Sequence, residues 1–395
     1  IPSACWQCVS CCPIVGFVED GRLVKIEGNP LSSSTRGRLC PRGQAGINQV
    51  YDPDRLLHPL KRAGSRGEGK WEQISWEEAL DLLVSGGEVA GRPVKGLARL
   101  REEGTPEKFL FHYGRTVGSD ATILFNYFLP AFGTESIGDH HSICINAGGI
   151  ASMLTGGSRF RDLDEANIVL NFGASVLEAN FSHTMMVRRY SDALARGMKM
   201  YTFDVRLSET AARSTEWIPL KPATDMAVVL AMCHVLMENG LHDEDAIDKY
   251  SNVTVDELER HLKDYTPEWA ESISGVPADK IRSIAVEFAE NRPGICVSMR
   301  GAFMHHNGVQ TQRAIYMLQA IAGNVDTVGR RGARPRWNYP IPRPQPAVEA
   351  KTLDIFRGEK GAFAVPDYNV SHQILTMIDK GPERPDIYMV YCHNP

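Results

Sequence analysis

Five of the nine cysteines lie within the first 40 residues, and this crowding constrains the fold more than any other feature of the 395-residue chain. A disulfide framework would spread its pairs through a small secreted chain, so it is a poor match. Cysteines crowded at one end predict a metal or cluster site around which the first residues wrap. The crowded cysteines are Cys5, Cys8, Cys11, Cys12 and Cys40.

The spacing of these cysteines offers four thiolates, the number that a [4Fe–4S] cluster binds. Cys11 is an alternative to Cys12 as the third ligand, and Pro13 directly after Cys12 favours Cys12. A structural zinc site and buried free thiols are the other interpretations. Zinc usually takes two Cys-x2-Cys pairs, whereas Cys40 stands alone where a second pair would be needed. Arg42 would stabilise a negative cluster, or it is an ordinary exposed arginine. The favoured ligands are Cys5, Cys8, Cys12 and Cys40.

Composition and the chain ends narrow the class of protein. Hydrophobic residues make up 43% and charged residues 23%, which is typical of globular proteins with two or three domains at this length. The net charge of −5 argues against a nucleic-acid binder, and no apolar run is long enough to span a membrane by itself. The chain begins with Ile1 and stops just after an apolar run at 387–391, so we expect a fragment of a longer protein.

The clearest structural unit runs from residue 167 to residue 240. A strand at 167–172, a helix ending near Arg196 and a strand at 198–203 form a βαβ pattern, which implies parallel strands and a right-handed crossover. A further helix begins at Thr224 or Asp225. Other expected elements are a hairpin at 16–28, a helix after Ser75, a surface insertion at 84–106, strands at 109–113 and 295–299, and a proline-rich linker at 332–346.

The βαβ unit suits a nucleotide but lacks the usual glycines. A site of the NAD type would show G-x-G-x-x-G after the first strand, and this chain has only Gly173-Ala174-Ser175. Asp204 ends the second strand, where an acidic group can bind a ribose. The Asp225 carboxylate could accept hydrogen bonds from a guanine edge or be a plain helix cap.

Cys144 lies in a polar loop at 138–149 that runs into a helix, next to two histidines. Its thiol could be a nucleophile or a ligand to a soft metal, and a buried structural cysteine fits equally well.

Several motifs, in this order, resemble the catalytic subunits of molybdopterin oxidoreductases of the dimethyl sulfoxide reductase family. The resemblance runs over essentially the whole chain. It rests on the cysteine pattern, residues 39–43 (LCPRG), 51–56 (YDPDRL), 58–60 (HPL), 74–80 (ISWEEAL), 204–206 (DVR) and 222–225 (PATD). The family usually reads Asp-Pro-Arg at 204–206 and Gly-Thr-Asp at 223–225, and both departures keep the polar side chains.

The resemblance implies an α/β fold with a small N-terminal iron–sulfur domain and two Rossmann-like αβα domains. It also implies that the barrel-like C-terminal domain of the family is missing from this chain. The expected divisions are a [4Fe–4S] domain at 1–58, the first part of domain II at 59–160, domain III with one guanine dinucleotide at 161–330, and a return to domain II at 331–395.

The resemblance further implies a [4Fe–4S] cluster and a molybdenum or tungsten ion held by two molybdopterin guanine dinucleotides. Cys144 would bind the metal, and Arg42 would lie between cluster and pterin. His141 or Arg300 could orient an anionic substrate or deliver a proton. The dinucleotide contacts carried over are Gly173, Ser175, Asp204, Arg206, Thr224, Asp225 and Asn394.

Within the family, the N-terminal block is most similar to polysulfide and thiosulfate reductases. A cysteine ligand excludes the serine-ligated and aspartate-ligated members, and Ile145 after Cys144 counts against formate dehydrogenases. The resemblance thus implies reduction of polysulfide, thiosulfate or tetrathionate, with sulfite or formate oxidation and arsenate reduction as alternatives. A non-catalytic electron-transfer subunit and a zinc-stapled nucleotide-binding protein are the other classes.

The implied partners are a ferredoxin-like iron–sulfur subunit, a quinone-linked membrane anchor and a small inorganic substrate. The implied location is periplasmic, or membrane-associated through these partners, with a cytoplasmic location as the alternative.

Overall fold

A computed structural model describes residues 1–8, 10–114, 123–140, 144–155, 163–179, 183–325, 344, 349–353, 374, 378–379 and 384–392. His141 and Asn394, both named above as site residues, lie outside these ranges. The chain divides into two compact units. Unit 1 comprises Ile1–Gly46 and Ile145–Arg336, and unit 2 comprises Ile47–Cys144 and Trp337–Pro395. The domain boundaries given above stay a prediction.

The regular elements are numbered here in chain order. The strands are β1 (Pro2–Ala4), β2 (Pro13–Glu19), β3 (Arg22–Gly28), β4 (Leu60–Arg62), β5 (Trp71–Gln73), β6 (Gly86–Val89), β7 (Arg92–Lys95), β8 (Phe109–Tyr113), β9 (Ile137–Asp139), β10 (Ile168–Phe172), β11 (Lys199–Asp204), β12 (Glu216–Pro219), β13 (Gly294–Ser298) and β14 (Ile387–Tyr391). The helices are α1 (Pro41–Gln44), α2 (Gly46–Val50), α3 (Trp76–Ser85), α4 (Leu97–Glu102), α5 (Leu129–Phe132), α6 (Asn146–Leu154), α7 (His183–Ala195), α8 (Glu209–Ala212), α9 (Asp225–Glu238), α10 (Glu244–Tyr250), α11 (Val255–Leu262), α12 (Pro267–Ser274), α13 (Ala278–Glu290), α14 (Arg300–Phe303) and α15 (Gly308–Ile321).

Unit 1 begins with a small antiparallel sheet in the order β1-β2-β3. The expected hairpin at 16–28 is present, with its turn at Asp20 and Gly21, which both adopt positive φ. Such φ values suit a tight two-residue turn between antiparallel strands. The sheet carries the segment 5–12 between β1 and β2, so the first cysteines lie on a connection held at both ends.

The main sheet of unit 1 is parallel, in the order β12-β11-β10-β13. The βαβ prediction is confirmed, since β10 and β11 are adjacent and joined through α7. From β10 the chain moves outward through β11 to β12, and then returns to place β13 on the other side of β10. The strand order therefore reverses between β10 and β13, which is where ligands bind in open α/β sheets.

The core of unit 1 packs helices against this sheet. All five residues of β10 are buried, as expected for a strand of a parallel sheet that is covered on both faces. Helix α9 is buried along most of its length, from Asp225 to Met237, because α12, α13 and α15 pack against it. An almost wholly apolar helix of this kind is a core element.

Unit 2 contains a parallel sheet in the order β14-β8-β9 and two hairpins, β4-β5 and β6-β7. Strand β14 returns from the far end of the chain to pair with β8. Ser75 caps α3 by accepting a hydrogen bond from the backbone N–H of Glu78, as the sequence indicates. The segment at 84–106 lies at the surface as expected over the mostly exposed hairpin β6-β7, but α4 departs from the expectation because Leu97 and Leu100 enter the core of unit 2.

Every helix within the described ranges is too short or too polar to cross a membrane.

Candidate cofactor sites

The four favoured cluster ligands of unit 1 are neighbours. Burial raises the pKa of the Cys12 thiol, the Thr184 hydroxyl lowers it by a hydrogen bond, and the nearby Cys8, Cys5 and Cys40 thiols raise it again. The backbone N–H of Cys5 donates to the Cys12 carbonyl at 2.9 Å. The Cys40 segment also reaches Cys5, since a Cβ added at Gly43 would lie 3.3 Å from Cys5 Sγ. This donor set of four thiols fits a [4Fe–4S] cluster.

Cys11 is placed differently from Cys12. Its backbone has φ 44°, and its thiol lies 4.0 Å from the Cys8 carbonyl oxygen. Burial raises the pKa of Cys11, as do Cys8 and Cys5, but Cys40 is not among the groups that shift it. Cys12 is 5% exposed. The Cys40 thiol therefore acts on the pKa of Cys12 and is not among the causes of the Cys11 shift.

The same thiols do not form a cage for one ion. Within the described ranges, no three histidine, cysteine, aspartate or glutamate side chains are arranged to hold a metal ion. With Zn–S bonds of about 2.3 Å, the sulfur ligands of a single zinc would lie roughly 3.8 Å apart. In a four-iron cluster each thiolate binds a different iron, so the thiolates are spread more widely.

Arg42 and Cys144 are the residues with predicted roles beside the cluster and at the metal. Arg42 is exposed in the short helix α1, two residues after Cys40. Cys144 is half-buried and comes two residues before α6 begins. Their predicted roles toward pterin and metal stay predictions.

The second candidate site is the carboxyl edge of the main sheet, at the point of strand reversal. Gly173 follows β10 with φ 58°, and a Cβ on it would lie 2.7 Å from Gly301 Cα. The N–H of Gly301 donates to the Gly173 carbonyl at 3.2 Å, and the N–H of Gly173 donates to Phe203 at 2.9 Å. Two glycine backbones thus touch where side chains would otherwise fill the edge, which leaves backbone accessible to a ligand.

Two carboxylates meet at this edge. Burial raises the pKa of Asp225 to about 7, its own backbone N–H opposes the shift, and the neighbouring Asp204 carboxylate adds to it. Asp225 is 4% exposed and is the first residue of α9. A nearly buried carboxylate next to another acid is costly to ionise unless donors reach it. The N–H groups of a guanine edge are such donors, so the residues fit a guanine nucleotide.

The residue before Thr224 departs from the family pattern at a position where the backbone conformation favours glycine. Ala223, where the family usually has glycine, adopts φ 62°. That conformation favours glycine because a Cβ crowds the following carbonyl. The Thr224 hydroxyl donates to the Lys221 carbonyl at 2.6 Å and so closes the turn that leads into α9.

Glu178 and Thr210 belong to this edge and were missed from the sequence. Glu178 accepts hydrogen bonds from the Thr210 hydroxyl and from the Thr210 backbone N–H, the latter at 3.2 Å. It also pairs with Arg206 at 3.5 Å. The loop after β10 is thereby joined to the loop after β11, and these contacts fix the position of Arg206. Nothing local in the sequence marks Glu178 as the partner of a loop some 30 residues away.

Ser175 and Arg300 complete the placement of the predicted residues. Ser175 is half-buried in the loop after β10, where its carbonyl accepts from the N–H of Ala179 at 3.0 Å. Arg300 opens α14 directly before Gly301, so it lies at the dinucleotide edge of unit 1. Its predicted action on a substrate stays a prediction.

We expect Gly301→Ala to destabilise unit 1 by about 1–3 kcal/mol, the usual cost of overpacking. The added Cβ would meet the Gly173 carbonyl oxygen at 2.6 Å, and backbone cannot swing away as a flexible side chain can. Denaturant unfolding measures the change in the free energy of unfolding. Gly46→Ala is the matched control, since its nearest neighbour would be 3.5 Å away. Equal stability of the two variants would show that the glycine contact is not needed.

Comparison with known protein families agrees with these two sites. The family description "Molybdopterin oxidoreductase Fe4S4 domain" matches residues 1–52, which include all five clustered cysteines. The description "Molybdopterin oxidoreductase" matches residues 55–334, which include the glycine edge and Asp225.

The individual relatives match most of this chain, but the matched part is less than half of each relative's own length. The chain is 32% identical to the thiosulfate reductase molybdopterin-containing subunit PhsA of Salmonella typhimurium, over 83% of this chain and 41% of the relative. It is 32% identical to the dimethyl sulfoxide reductase DmsA of Escherichia coli, over 86% and 45%. Among solved structures, acetylene hydratase from Pelobacter acetylenicus superposes with a TM-score of 0.68 at 26% identity, covering 82% of this chain and 44% of that one.

The four-thiol group, the glycine edge with its buried carboxylate and the two matched descriptions lead to one conclusion. The fold is mixed α/β with an N-terminal Fe4S4 domain, and a [4Fe–4S] cluster and a molybdopterin cofactor are the groups that these domains carry. The chain belongs to the molybdopterin oxidoreductase family.

Proposed function

We propose that this chain is part of the catalytic subunit of an oxidoreductase that reduces a sulfur compound, such as polysulfide, thiosulfate or tetrathionate. The observation that carries the redox part is the group of four thiols in the same unit as the dinucleotide edge. The similarity to a thiosulfate reductase subunit supports the choice of a sulfur compound. The chain spans less than half of that relative, so the activity is a proposal for the whole protein.

Each proposed residue has a distinct task. Cys12 and its three partner thiols hold the cluster, and Arg42 offsets negative charge beside Cys40. Asp225 accepts the N–H groups of guanine, while the glycine edge admits the rest of one dinucleotide against bare backbone. Cys144 donates a thiolate to the metal. Arg300 or His141 orients an anionic substrate or moves a proton. Bound molybdenum or tungsten, held by two dinucleotides, would supply Lewis acidity and two-electron chemistry. The cluster would transfer single electrons.

Metal analysis of the full-length enzyme tests the redox assignment. We expect about four irons per chain together with molybdenum or tungsten. Iron without either metal would support the alternative of a non-catalytic electron-transfer subunit. Zinc in place of iron would refute the cluster.

Cys144→Ser tests the proposed metal ligand in the same enzyme. We expect turnover to fall by more than about 100-fold, because changes to the partners of metal ligands already cost about 10–100-fold. Cys392→Ser, which alters another cysteine of unit 2, is the control. Full activity of the Cys144 variant would remove this residue as the ligand.

A substrate panel decides among the reactions. Polysulfide, thiosulfate and tetrathionate are supplied with a reduced dye, and sulfite, formate and arsenate cover the alternatives. Acetylene is included because the structural neighbour is a hydratase, and water addition needs no net electron transfer. Turnover of acetylene alone would replace the reductase assignment with a hydratase.

Partners and location belong to the same proposal. An iron–sulfur subunit with several clusters would exchange electrons with this chain, and a membrane anchor would connect it to quinone. We propose a periplasmic location, or membrane association through these subunits. Co-purification and fractionation of the native complex test this; a free cytoplasmic enzyme would contradict it.

A further inference from the structure

The cluster-ligand group has a neighbour from a distant part of unit 1. Thr184, the second residue of α7, places its hydroxyl oxygen 3.7 Å from Cys12 Sγ. The two residues are 172 positions apart in the chain. As a protonated thiol, Cys12 donates this hydrogen bond to the Thr184 hydroxyl oxygen. A thiolate that binds iron has no proton to donate and accepts strongly, so the Thr184 hydroxyl becomes the donor when Cys12 is a ligand.

Among the described residues, Cys12 Sγ is the hydrogen-bonding partner that the structure provides for the Thr184 hydroxyl. This contact ties α7 to the cysteine segment that precedes β2.

The surroundings make a hydrogen bond at Cys12 effective. Cys12 is 5% exposed, whereas Cys8 is exposed and Cys40 is half-buried. Electrostatic interactions gain strength where water is excluded. A donor at Cys12 should therefore influence a bound cluster more than a similar donor at Cys8 would.

Thr184 also lines an open cavity of about 540 Å³. Its lining includes Arg38, Cys40, Arg188 and Ser191. The Arg188 guanidinium donates to the Asp192 carboxylate at 2.6 Å, so its charge is largely offset. The N-terminal end of α7 adds a positive dipole near Cys12. Substitution of the Thr184 side chain would change neither the arginine pair nor the dipole, so it isolates the hydroxyl.

We propose that Thr184 is a positioning residue whose hydroxyl donates a hydrogen bond to the Cys12 thiolate and raises the reduction potential of the [4Fe–4S] cluster. A donor stabilises negative charge on the ligand sulfur, and the reduced cluster carries one electron more than the oxidised cluster. Hydrogen bonds to the sulfurs are among the features that set the potentials of such clusters. This inference rests on the proposed ligation by Cys12.

The test compares Thr184→Val, Thr184→Ser and Ser191→Ala in the full-length enzyme. Valine keeps the shape of threonine without the hydroxyl, and serine keeps the hydroxyl. Ser191→Ala removes a hydroxyl from the same cavity wall, about two helical turns along α7 from Thr184. A redox titration followed by electron paramagnetic resonance measures the midpoint potential of the cluster, and iron analysis measures its occupancy.

We expect the valine variant to keep its iron while the ratio of reduced to oxidised cluster at a fixed solution potential falls roughly tenfold. For one electron this is a shift of about 59 mV to lower potential. The serine variant and Ser191→Ala should match the unaltered enzyme.

Three results would overturn the inference. The first is an unchanged potential in the valine variant, and the second is an equal shift in the serine variant. The third result is absence of a cluster from the unaltered enzyme, which would refute the proposed function as well, whereas the first two leave that function intact.

If Thr184→Val holds no iron, Thr184→Ala takes its place in the same comparison and is judged by the same shift.

Discussion

Cys12→Ser will remove the iron–sulfur cluster, whereas Cys11→Ser will leave it in place. The Cys12 thiol interacts with those of Cys5, Cys8 and Cys40, and a serine hydroxyl is a poor replacement for a soft thiolate ligand. We expect iron per chain to fall from about four to near zero in the Cys12 variant. Iron analysis and the visible absorbance of the cluster measure this in purified protein.

The Cys11 variant is the matched control, because it makes the same chemical change one residue away. The Cys11 backbone is in the left-handed region, and the Cys40 thiol does not contribute to its pKa shift. The reverse outcome, with iron kept in Cys12→Ser and lost in Cys11→Ser, would assign the third ligand to Cys11. Loss of iron from both would indicate that the loop needs both side chains.

Asp225→Asn will reduce the guanine nucleotide content of the enzyme by more than about tenfold. The carboxylate can accept two N–H groups from a guanine edge, and hydrogen bonds to a charged group contribute about 1.5–3 kcal/mol each. Asparagine replaces one acceptor oxygen with a donor that faces the guanine N–H groups. Nucleotide released on acid hydrolysis of the purified enzyme, per chain, measures the occupancy.

The same variant will change how the stability of the cofactor-free chain depends on pH. Burial raises the pKa of Asp225 from 3.8 to about 7, so the folded state binds this proton more tightly than the unfolded state. The free energy of unfolding contributed by this group is therefore highest below pH 3.8 and falls as pH rises through about 7. The loss is at most about 4 kcal/mol, at 1.36 kcal/mol per pKa unit.

Asp225→Asn removes this dependence, so the variant should be more stable than the unaltered chain at pH 8, and the difference should vanish toward pH 4. Denaturant unfolding across this range measures it. Asp279→Asn is the control, because that side chain is fully exposed on α13. Equal pH profiles for the unaltered chain and Asp225→Asn would mean that the carboxylate is not costly to ionise, and would remove the reason to expect guanine there.

Much of the local structure was predictable because its causes are local. The hairpin at 16–28 follows from its turn residues, and α3 from the Ser75 cap. The β10-α7-β11 unit follows from the alternation of strand and helix patterns. In the segment at 84–106, the glycines and charges indicated the exposed hairpin but not the burial that follows in α4. Leu97 and Leu100 outweigh them, since they find an apolar face of unit 2 to cover.

The candidate sites were predictable in their ligands but not in their supports. Clustered cysteines and the carboxylates at 204 and 225 identify themselves by residue type and spacing. Gly301, Glu178 and Thr184 carry no such mark, because each acts through a contact with a residue distant in the chain.

The sequence by itself determined the cysteine cluster from which the ligands are predicted, the βαβ unit and the family, since these depend on short spacings and on motifs in a given order. Only the tertiary structure decided that β13 returns beside β10, that the Cys40 thiol raises the pKa of Cys12, and that Thr184 reaches Cys12. The physical reason is that each of these contacts joins separate segments. Packing of the whole unit selects such partners, and no local pattern of residues encodes them.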